Sequence, residues 1–486
     1  MKDFKSNYIT GHDRYVSESG SVYRNISDLI KVRDVNEIDP VSILGILMKN
    51  YAIGDRTLVS GISKQPWMSS FYNNKIVQYQ PPFHGNESLN EDDVADKLIK
   101  LLAAEAQKWL KGKESIGILL SGGMDSRIIA SILNRMQKDG LYLGKVTALT
   151  WGLEDSRDVV YAKRIADYFG WDFKHFNLSP RLLKDNIYTA GIRGAEYSPV
   201  HLHAMRDVSL LGGIDGVLAG SYGDSIGRGE YSGKKVKNLP NMFRHHLNHY
   251  AFMSKDIERW ALKQLMSDAK NYRQRFPERT ELSYREMEMQ MHYMRRQLNS
   301  CMSVIDENIP LYQMFSAPEV FGFIWSLDFN NRNNLVYEKL LYKVSKELLT
   351  IPWARNGKLY NDQNSAPLDN FSKIHHNYGN WLRNDNREFI LERISNGCLQ
   401  SLNIFNEKAL KYWCDNWRSD QRNKVDRLDE KMAWLASLSI FVEKYNIRGL
   451  IPNKNKNINF NNFISLERAK IYESLYYKYT SFKYKE

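Results

Sequence analysis

The chain has 486 residues, and at ~150 residues per domain this length predicts two or three packed units rather than one hydrophobic core. Its composition, 43% hydrophobic and 26% charged, is typical of a soluble globular protein, and its apolar runs are shorter than the ~18 residues of a membrane span. The three cysteines lack CxxC spacing, which argues against a disulfide framework or a cysteine zinc site. No apolar segment follows the N-terminus, so we expect a cytoplasmic protein without a membrane partner.

The net charge of +12 raises the question of a polyanionic partner, because basic surfaces attract phosphates. Apart from a local excess in residues 452–486, however, this charge is spread thinly along the chain. The asparagine-rich stretch at residues 453–462 is typical of a solvated loop. We therefore do not expect a nucleic-acid partner.

Three regions follow one another along the chain. Residues 1–90 contain short mixed segments with turn signals such as Gly54-Asp55, which predict a small N-terminal α+β unit. In residues 91–360, short apolar runs alternate with helical stretches, the pattern of an α/β fold with a doubly wound parallel sheet. Residues 361–486 predict a helical C-terminal region.

Four strands are expected in the α/β region. They cover residues 116–120, 146–151, 173–178 and 216–219. Residues 240–350 and 380–450 lack strand alternation and predict helices that cover the sheet and shape the substrate pocket. Ligands of open parallel sheets bind at the carboxyl ends of the strands, so the glycine loops at residues 121–126 and 220–224 are expected to form one nucleotide site.

The first glycine loop, at residues 121–126, has the sequence SGGMDS and joins a buried strand to a helix. Such a turn exposes backbone N–H groups at the positive end of the helix dipole, where phosphate binds. The hydroxyls of Ser121 and Ser126 add donors, and the Asp125 carboxylate is suited to Mg²⁺. The loop lacks the lysine of a Walker loop, which leaves the α-phosphorus open to a carboxylate. We predict ATP and Mg²⁺ as cofactors.

On these residues the chain resembles the synthetase domain of the glutamine-hydrolysing asparagine synthetases, which are PP-loop ATP pyrophosphatases with a phosphate loop SGGxDS. Residues 151–158 look like that family's second nucleotide segment, and residues 191–199 look like the segment before its fourth strand. Residues 54–62 resemble the end of its glutaminase domain. The resemblance covers roughly residues 45–360.

This resemblance implies an adenine nucleotide alpha-hydrolase-like fold and an amidotransferase-like ligase of the kind used in asparagine biosynthesis. ATP would adenylate a carboxylate and release pyrophosphate, and ammonia or an amine would then displace AMP. The implied nucleotide-binding residues are Leu120, Ser121, Gly122, Gly123, Asp125, Ser126, Trp151 and Gly220. Among them, Leu120 and Trp151 would contact the adenosine, and Gly220 would line the ribose and phosphates.

The resemblance also implies catalytic groups. Asp224, in the second glycine loop, would join Asp125 as a contact for Mg²⁺ or pyrophosphate. Either Lys358 or Arg355 would supply the cation that neutralises charge developing on the phosphates. Their spacing does not choose between these two.

The chain departs from the family where nitrogen is handled. The family's glutaminase nucleophile is a cysteine at position 2, where this chain has Lys2, and the segment before the phosphate loop is short. We therefore interpret residues 1–90 as a reduced glutaminase-like remnant and expect ammonia, an amine or a separate glutaminase to supply nitrogen. The family's amine-deprotonating glutamate is replaced by Ser221, and Glu196 or Glu230 would act instead if folded into the pocket.

The acceptor stays open between aspartate, a sugar uronate and a peptide carboxylate. Gln313 stands where the family has an aspartate, which puts aspartate in doubt as the acceptor. His201 and His203 form an HxH pair without a nearby acidic or cysteine cluster, which favours a structural or pocket role over a metal site. Two alternatives to the ligase are a PP-loop enzyme that adenylates an RNA base and a non-catalytic nucleotide-binding scaffold.

Overall fold

The computed structural model describes residues 5–10, 14–73, 75–228, 232, 235, 237, 248–276, 279–451 and 457–483. The N-terminal strands are β1 (Tyr15–Ser17), β2 (Val22–Tyr23), β3 (Ile62–Lys64), β4 (Ser69–Tyr72) and β5 (Lys75–Gln78). They form an antiparallel sheet of order β2-β1-β3 and an antiparallel β4-β5 pair. The helices of this part are α1 (Ser6–Thr10), α2 (Ile26–Lys31) and α3 (Pro40–Lys49).

A five-stranded parallel sheet lies at the centre of the molecule, with the order β10-β9-β6-β7-β8. Its strands are β6 (Ser115–Leu119), β7 (Lys145–Gly152), β8 (Asp172–Asn177), β9 (Gly216–Ala219) and β10 (Leu311–Gln313). From β6 the chain first builds outward to β7 and β8 and then crosses to β9 on the other side. The α/β prediction is confirmed, and the carboxyl ends of β6 and β9 meet at the switch point where such sheets bind ligands.

Helices cover the sheet and complete the C-terminal region. Those of the α/β region are α4 (Glu91–Leu110), α5 (Met124–Lys138), α6 (Arg157–Phe169), α7 (Pro180–Ile192), α8 (Met205–Ser209), α9 (Lys255–Gln274), α10 (Glu281–Glu288), α11 (Ser300–Met302), α12 (Pro318–Ser326) and α13 (Asn334–Ser345). The C-terminal helices are α14 (Tyr378–Arg383), α15 (Arg387–Ser395), α16 (Glu407–Asn416), α17 (Arg427–Tyr445) and α18 (Asn457–Lys483). Within the described residues, no helix is both long and apolar enough to cross a membrane.

Two expectations about the regions around the sheet are corrected. The stretch at residues 240–350 is not wholly helical, because Leu311–Gln313 forms the edge strand β10; three residues are too few to show alternation. The asparagine-rich stretch is not a loop from residue 457 onward, where α18 begins. Its first residues, 453–456, lie outside the described part of the chain.

Two clusters of buried apolar side chains lie on opposite faces of the sheet. Along β9, Val217 belongs to the first cluster and the next residue, Leu218, to the second, because successive side chains of a strand point to opposite faces. The first cluster also contains Leu44 of α3 and Trp434 of α17. The N-terminal part therefore shares its core with the sheet and the C-terminal helices, and the boundaries at residues 90 and 360 stay predictions.

Buried ion pairs join a π-helix at Met289–Asn299 to the N-terminal part and to the segment that follows α7. Both Nη atoms of Arg295 donate to Oδ1 of Asp55 at 2.9 Å. The next residue, Arg296, donates through Nη2 to Oε2 of Glu196 at 2.9 Å. Removing one partner of such a buried pair typically costs about 3–5 kcal/mol, because the other charge stays buried without compensation. These pairs therefore fix the position of the π-helix.

His292 of the same π-helix makes the stability depend on pH. Its buried Nδ1 accepts a 3.0 Å hydrogen bond from the Gly54 backbone N–H. Burial, together with the charge of Arg295, lowers the pKa of His292 from 6.5 to about 3. Between these two values the unfolded chain binds a proton that the folded chain does not, so stability falls as the pH falls, by up to about 1.4 kcal/mol per unit.

We expect His292→Asn, whose Oδ1 preserves the acceptor, to lose this part of the pH dependence. The free energy of unfolding, measured by chemical denaturation between about pH 6 and 4, should then fall less steeply with acid than in the wild type. An equal slope in the two proteins would show that His292 is not the responsible group.

Candidate nucleotide-binding site

The first glycine loop is a tight turn held by its own serines. The Ser121 backbone N–H donates to Oγ of Ser126 at 3.2 Å, and that hydroxyl donates back to the Ser121 carbonyl at 3.2 Å. The Gly123 N–H donates to Oγ of Ser121 at 3.2 Å. Helix α5 begins at the next residue, Met124, so the loop wraps the positive end of a 15-residue helix.

Asp158 supports the same loop from the side of β7. It lies in the first turn of α6, and its Oδ1 accepts a 3.3 Å hydrogen bond from the Gly122 N–H. Burial raises the pKa of Asp158, and the charge of His375 opposes that shift. Asp158 ends the segment at residues 151–158 that resembles the family's second nucleotide segment, but it was not among the predicted site residues.

The second glycine loop approaches the first so closely that two of its residues have no room for a side chain. A Cβ atom on Gly220 would lie 2.6 Å from the Ser126 backbone nitrogen. One on Gly223 would lie 2.7 Å from Cγ of Asp125. The two loops therefore converge on one place.

Arg228 was not foreseen and pairs with the phosphate-loop carboxylate. Its Nε donates to Oδ1 of Asp125 at 3.1 Å, and its Nη2 donates to Oδ2 at 3.0 Å. Burial raises the pKa of Asp125 to about 7; the charge of Arg228 opposes this shift and the charge of Asp224 adds to it. Arg228 ends a π-helical turn, Gly223–Arg228, and belongs to no recognisable motif.

Asp125 and Asp224 offer carboxylate oxygens, the ligand type that Mg²⁺ prefers, and both oxygens of Asp125 accept hydrogen bonds from Arg228. These carboxylates interact electrostatically, and Mg²⁺ is commonly held by one or two carboxylates together with water and substrate phosphates. In the part of the chain that the structure describes, no three His, Cys, Asp or Glu side chains are grouped to hold a metal ion. His201 and His203 accordingly belong to no such group.

A cavity of about 390 Å³ lies at the carboxyl ends of β6, β7 and β9. It is lined by Leu119, Leu120, Ser121, Gly123, Asp125, Ser126, Leu149, Thr150, Trp151, Asp158, His201, His203, Met205, Gly220, Ser221, Tyr293, Gln297, Leu298, Cys301, Met302 and His375. The implied nucleotide-binding residues thus line it, except Gly122, whose N–H is bonded to Asp158.

An aromatic wall closes the cavity beside β7. The Trp151 ring stacks on His203, with centroids 5.9 Å apart and planes 17° apart. His203 in turn shares a 3.1 Å hydrogen bond with the Tyr378 hydroxyl. Burial, with the nearby His375 and His376, holds the pKa of His203 well below its usual value, so this imidazole is neutral at pH 7.

The structure shows the surroundings of Ser221, which stands in place of the family's glutamate, and of Glu196, a candidate to act as the base instead. Ser221 lines the cavity, but its hydroxyl donates to the Met302 sulfur at 3.1 Å. Glu196 is not among the lining residues; it is 1% exposed and paired with Arg296. The structure therefore argues against Glu196 as the base, because its carboxylate is committed to the interior. Glu230 lies outside the described residues.

The two cations expected for the phosphates do not line the cavity. Nζ of Lys358 donates to the Gln363 carbonyl at 2.9 Å, and the Arg355 guanidinium lies over the Trp353 ring, 5.5 Å from its centroid. The structure instead brings Arg228 to Asp125, a lining residue, although Arg228 itself does not line the cavity.

A glycine-rich turn after the first strand of a parallel sheet, facing a second glycine loop at the switch point, defines an α/β nucleotide-binding domain of the phosphate-loop class. The asparagine synthase family model matches residues 97–298. Residues 97–298 therefore form an asparagine synthase-like synthetase domain, which confirms the resemblance seen in the phosphate loop. The match supports an ATP-dependent ligase.

Curated relatives match a short segment. The glutamine-hydrolysing asparagine synthetases of Cricetulus griseus and Homo sapiens are each 33% identical over 79 residues, which is 16% of this chain and 14% of theirs. The match thus spans about one-seventh of the length of these relatives.

Two solved structures are also similar. The NMN synthetase from Francisella tularensis covers 51% of this chain and 97% of its own, with 15% identity and a TM-score of 0.21. A U34-tRNA thiolase from Methanococcus maripaludis covers 61% of this chain and 95% of its own, with 13% identity and a TM-score of 0.21.

The closeness of the two glycine loops gives a test of the site. In Gly220→Ala the new methyl group would meet the Ser126 backbone and push the loops apart, whereas Gly212→Ala is a matched control with open space around its Cβ position. Overpacking costs about 1–3 kcal/mol, so we expect Gly220→Ala to bind a non-hydrolysable ATP analogue roughly ten- to a hundredfold more weakly by calorimetry. Equal affinity in the two variants would contradict this placement of the nucleotide.

Proposed function

We propose that this chain uses ATP to adenylate a carboxylate, releasing pyrophosphate, and that ammonia or an amine then displaces AMP to form an amide. The observation that carries the proposal is the convergence of the SGGMDS loop, its Asp125 carboxylate and the second glycine loop on one cavity. Asp224 does not line this cavity but interacts electrostatically with Asp125. The asparagine synthase-like domain supports the same reaction class.

In this proposal the two glycine loops bind the phosphates of ATP. The N-terminus of α5 and the Ser121 and Ser126 hydroxyls would hold the β- and γ-phosphates, since N–H dipoles and hydroxyl donors favour anions. Arg228 would neutralise charge on the leaving pyrophosphate, a role earlier expected of Lys358 or Arg355. Mg²⁺, held by Asp125 and Asp224, would supply further charge compensation at the phosphate oxygens.

In this proposal the adenosine of ATP binds against the aromatic wall. Leu120 and Trp151 line the cavity next to Gly220, which supports the contacts implied by the family resemblance. The stacking of Trp151 on His203 makes a flat surface, and aromatic faces pack favourably on planar rings. Trp151 would therefore pack against the adenine ring.

In this proposal the imidazole of His203 or His375 removes a proton from the attacking amine. His203 and His375 line the cavity, and burial lowers the pKa of both, so each is unprotonated at neutral pH but a weaker base than a free imidazole. Imidazoles can thus serve where Ser221 has no basicity. The nitrogen donor and the acceptor acid remain within the classes predicted from the sequence.

The proposal is tested by pyrophosphate release. Wild-type protein with ATP, Mg²⁺, ammonium and a panel of carboxylic acids should form AMP and pyrophosphate, detected by ³¹P NMR, only with particular acids. We expect Asp125→Asn to lose at least about a hundredfold of this rate, because it removes the charge next to the phosphates but keeps the shape.

Asp139→Asn, at the exposed far end of the same helix, is the matched control and should react like the wild type. Circular dichroism would verify that both variants fold. Acid-dependent pyrophosphate release at the wild-type rate in Asp125→Asn would refute the assignment, and tight ATP binding without turnover on any acid would favour the scaffold alternative.

A further inference from the structure

Gln297 is an unusual feature of the cavity wall opposite the phosphate loop. This wall is built from the π-helix Met289–Asn299 and the following helix α11. Gln297 lines the cavity and is only 3% exposed, yet neither its Nε2 nor its Oε1 has a hydrogen-bond partner among the described residues. Both hydrogen-bonding ends of this amide are therefore available to a ligand.

An unpaired amide at this depth is costly. A buried donor or acceptor left unsatisfied costs about 1–3 kcal/mol, and buried polar groups in native proteins are nearly always paired. A ligand that pairs with both ends of the amide would remove this cost when it binds. The gain would favour ligands with matching groups, so the amide is suited to recognise a ligand.

The side chains around Gln297 in the cavity wall are mostly apolar and uncharged. Leu298 and Met302 line the same wall, and the Met302 sulfur already accepts from Ser221. Burial raises the pKa of the neighbouring Cys301 thiol, which is therefore uncharged. A second substrate that enters here meets apolar surface and one carboxamide.

The position of Gln297 is fixed by the two residues that precede it in the π-helix. The two residues before Gln297, Arg295 and Arg296, are held in the interior by Asp55 and Glu196. With these two side chains tied on one side, the π-helix presents Gln297 to the cavity. The amide is thus held in place by the same ion pairs that anchor the π-helix.

We propose that Gln297 determines acceptor specificity by binding a neutral group of the acid that both donates and accepts a hydrogen bond. A carboxamide has complementary donor and acceptor ends, so the matching chemistry is an amide or a pair of hydroxyls beside the reacting carboxylate. This inference rests on the proposed adenylation of a carboxylate. It favours an N-acylated or hydroxylated acid over free aspartate, whose second groups are charged.

Binding measurements test Gln297 separately from the chemistry. Calorimetry with the full chain and a non-hydrolysable ATP analogue would compare N-acetylglycine, which carries one amide and one carboxylate, with glucuronate, which carries hydroxyls. Propionate and aspartate would serve as acids that lack such a neutral group. We expect at least one of the first two acids to bind the wild type best, and to bind Gln297→Leu roughly ten- to a hundredfold more weakly, as the loss of two hydrogen bonds predicts.

The melting temperature distinguishes recognition from a structural role. Replacing an unpaired buried amide by leucine should leave the melting temperature of the free protein unchanged or raise it, while affinity for the ATP analogue stays constant. Gln274→Leu, at an exposed position of α9, is the matched control and should not alter acid binding.

The assignment is overturned if Gln297→Leu binds these acids as tightly as the wild type, if propionate and aspartate bind best, or if no acid binds the wild type. Pyrophosphate release is measured separately on the wild type. Acids that bind through Gln297 without releasing pyrophosphate would overturn the proposed function but keep the recognition site.

Discussion

The contact between the two glycine loops is the constraint on which the site depends. Gly220 stands against the backbone of Ser126, and Gly223 stands against the side chain of Asp125, at distances that no Cβ atom tolerates. This approach joins the carboxyl ends of β6 and β9 and brings Asp224 and Arg228 to Asp125. The charges that the proposed reaction needs are thus gathered by backbone shape before any ligand arrives, which spares reorganisation during the reaction.

A second constraint sets the opposite wall of the cavity. Asp55 of the N-terminal part holds Arg295, and Glu196, which follows α7, holds Arg296, so both segments position the π-helix. Residues 54–62, which resemble the end of a glutaminase domain, therefore anchor the π-helix through Asp55. This role does not depend on the nitrogen source of the proposed reaction. The cavity wall that contains Gln297 therefore depends on residues far away in sequence.

The sequence predicted the features that are local, and missed those that depend on tertiary contact. The phosphate loop and its flanking strand and helix follow from adjacent residues, and the four expected strands lie within one residue of their positions in the structure. Arg228 and Gln297 carry no motif, because the role of Arg228 arises from its distant partner Asp125 and that of Gln297 from its place in the cavity wall. Glu196 was a candidate base only if it folded into the pocket, and its ion pair with Arg296 could not be foreseen from spacing.

The central claim is that the oxygen of a carboxylate attacks the α-phosphorus of ATP. The most direct test is to supply an accepted acid labelled with ¹⁸O in its carboxylate, together with ATP, Mg²⁺ and ammonium, and to analyse the AMP by mass spectrometry. An acyl-adenylate intermediate predicts that one ¹⁸O atom is transferred from the acid to the phosphate of AMP. AMP without the label, or ADP as the nucleotide product, would contradict the account.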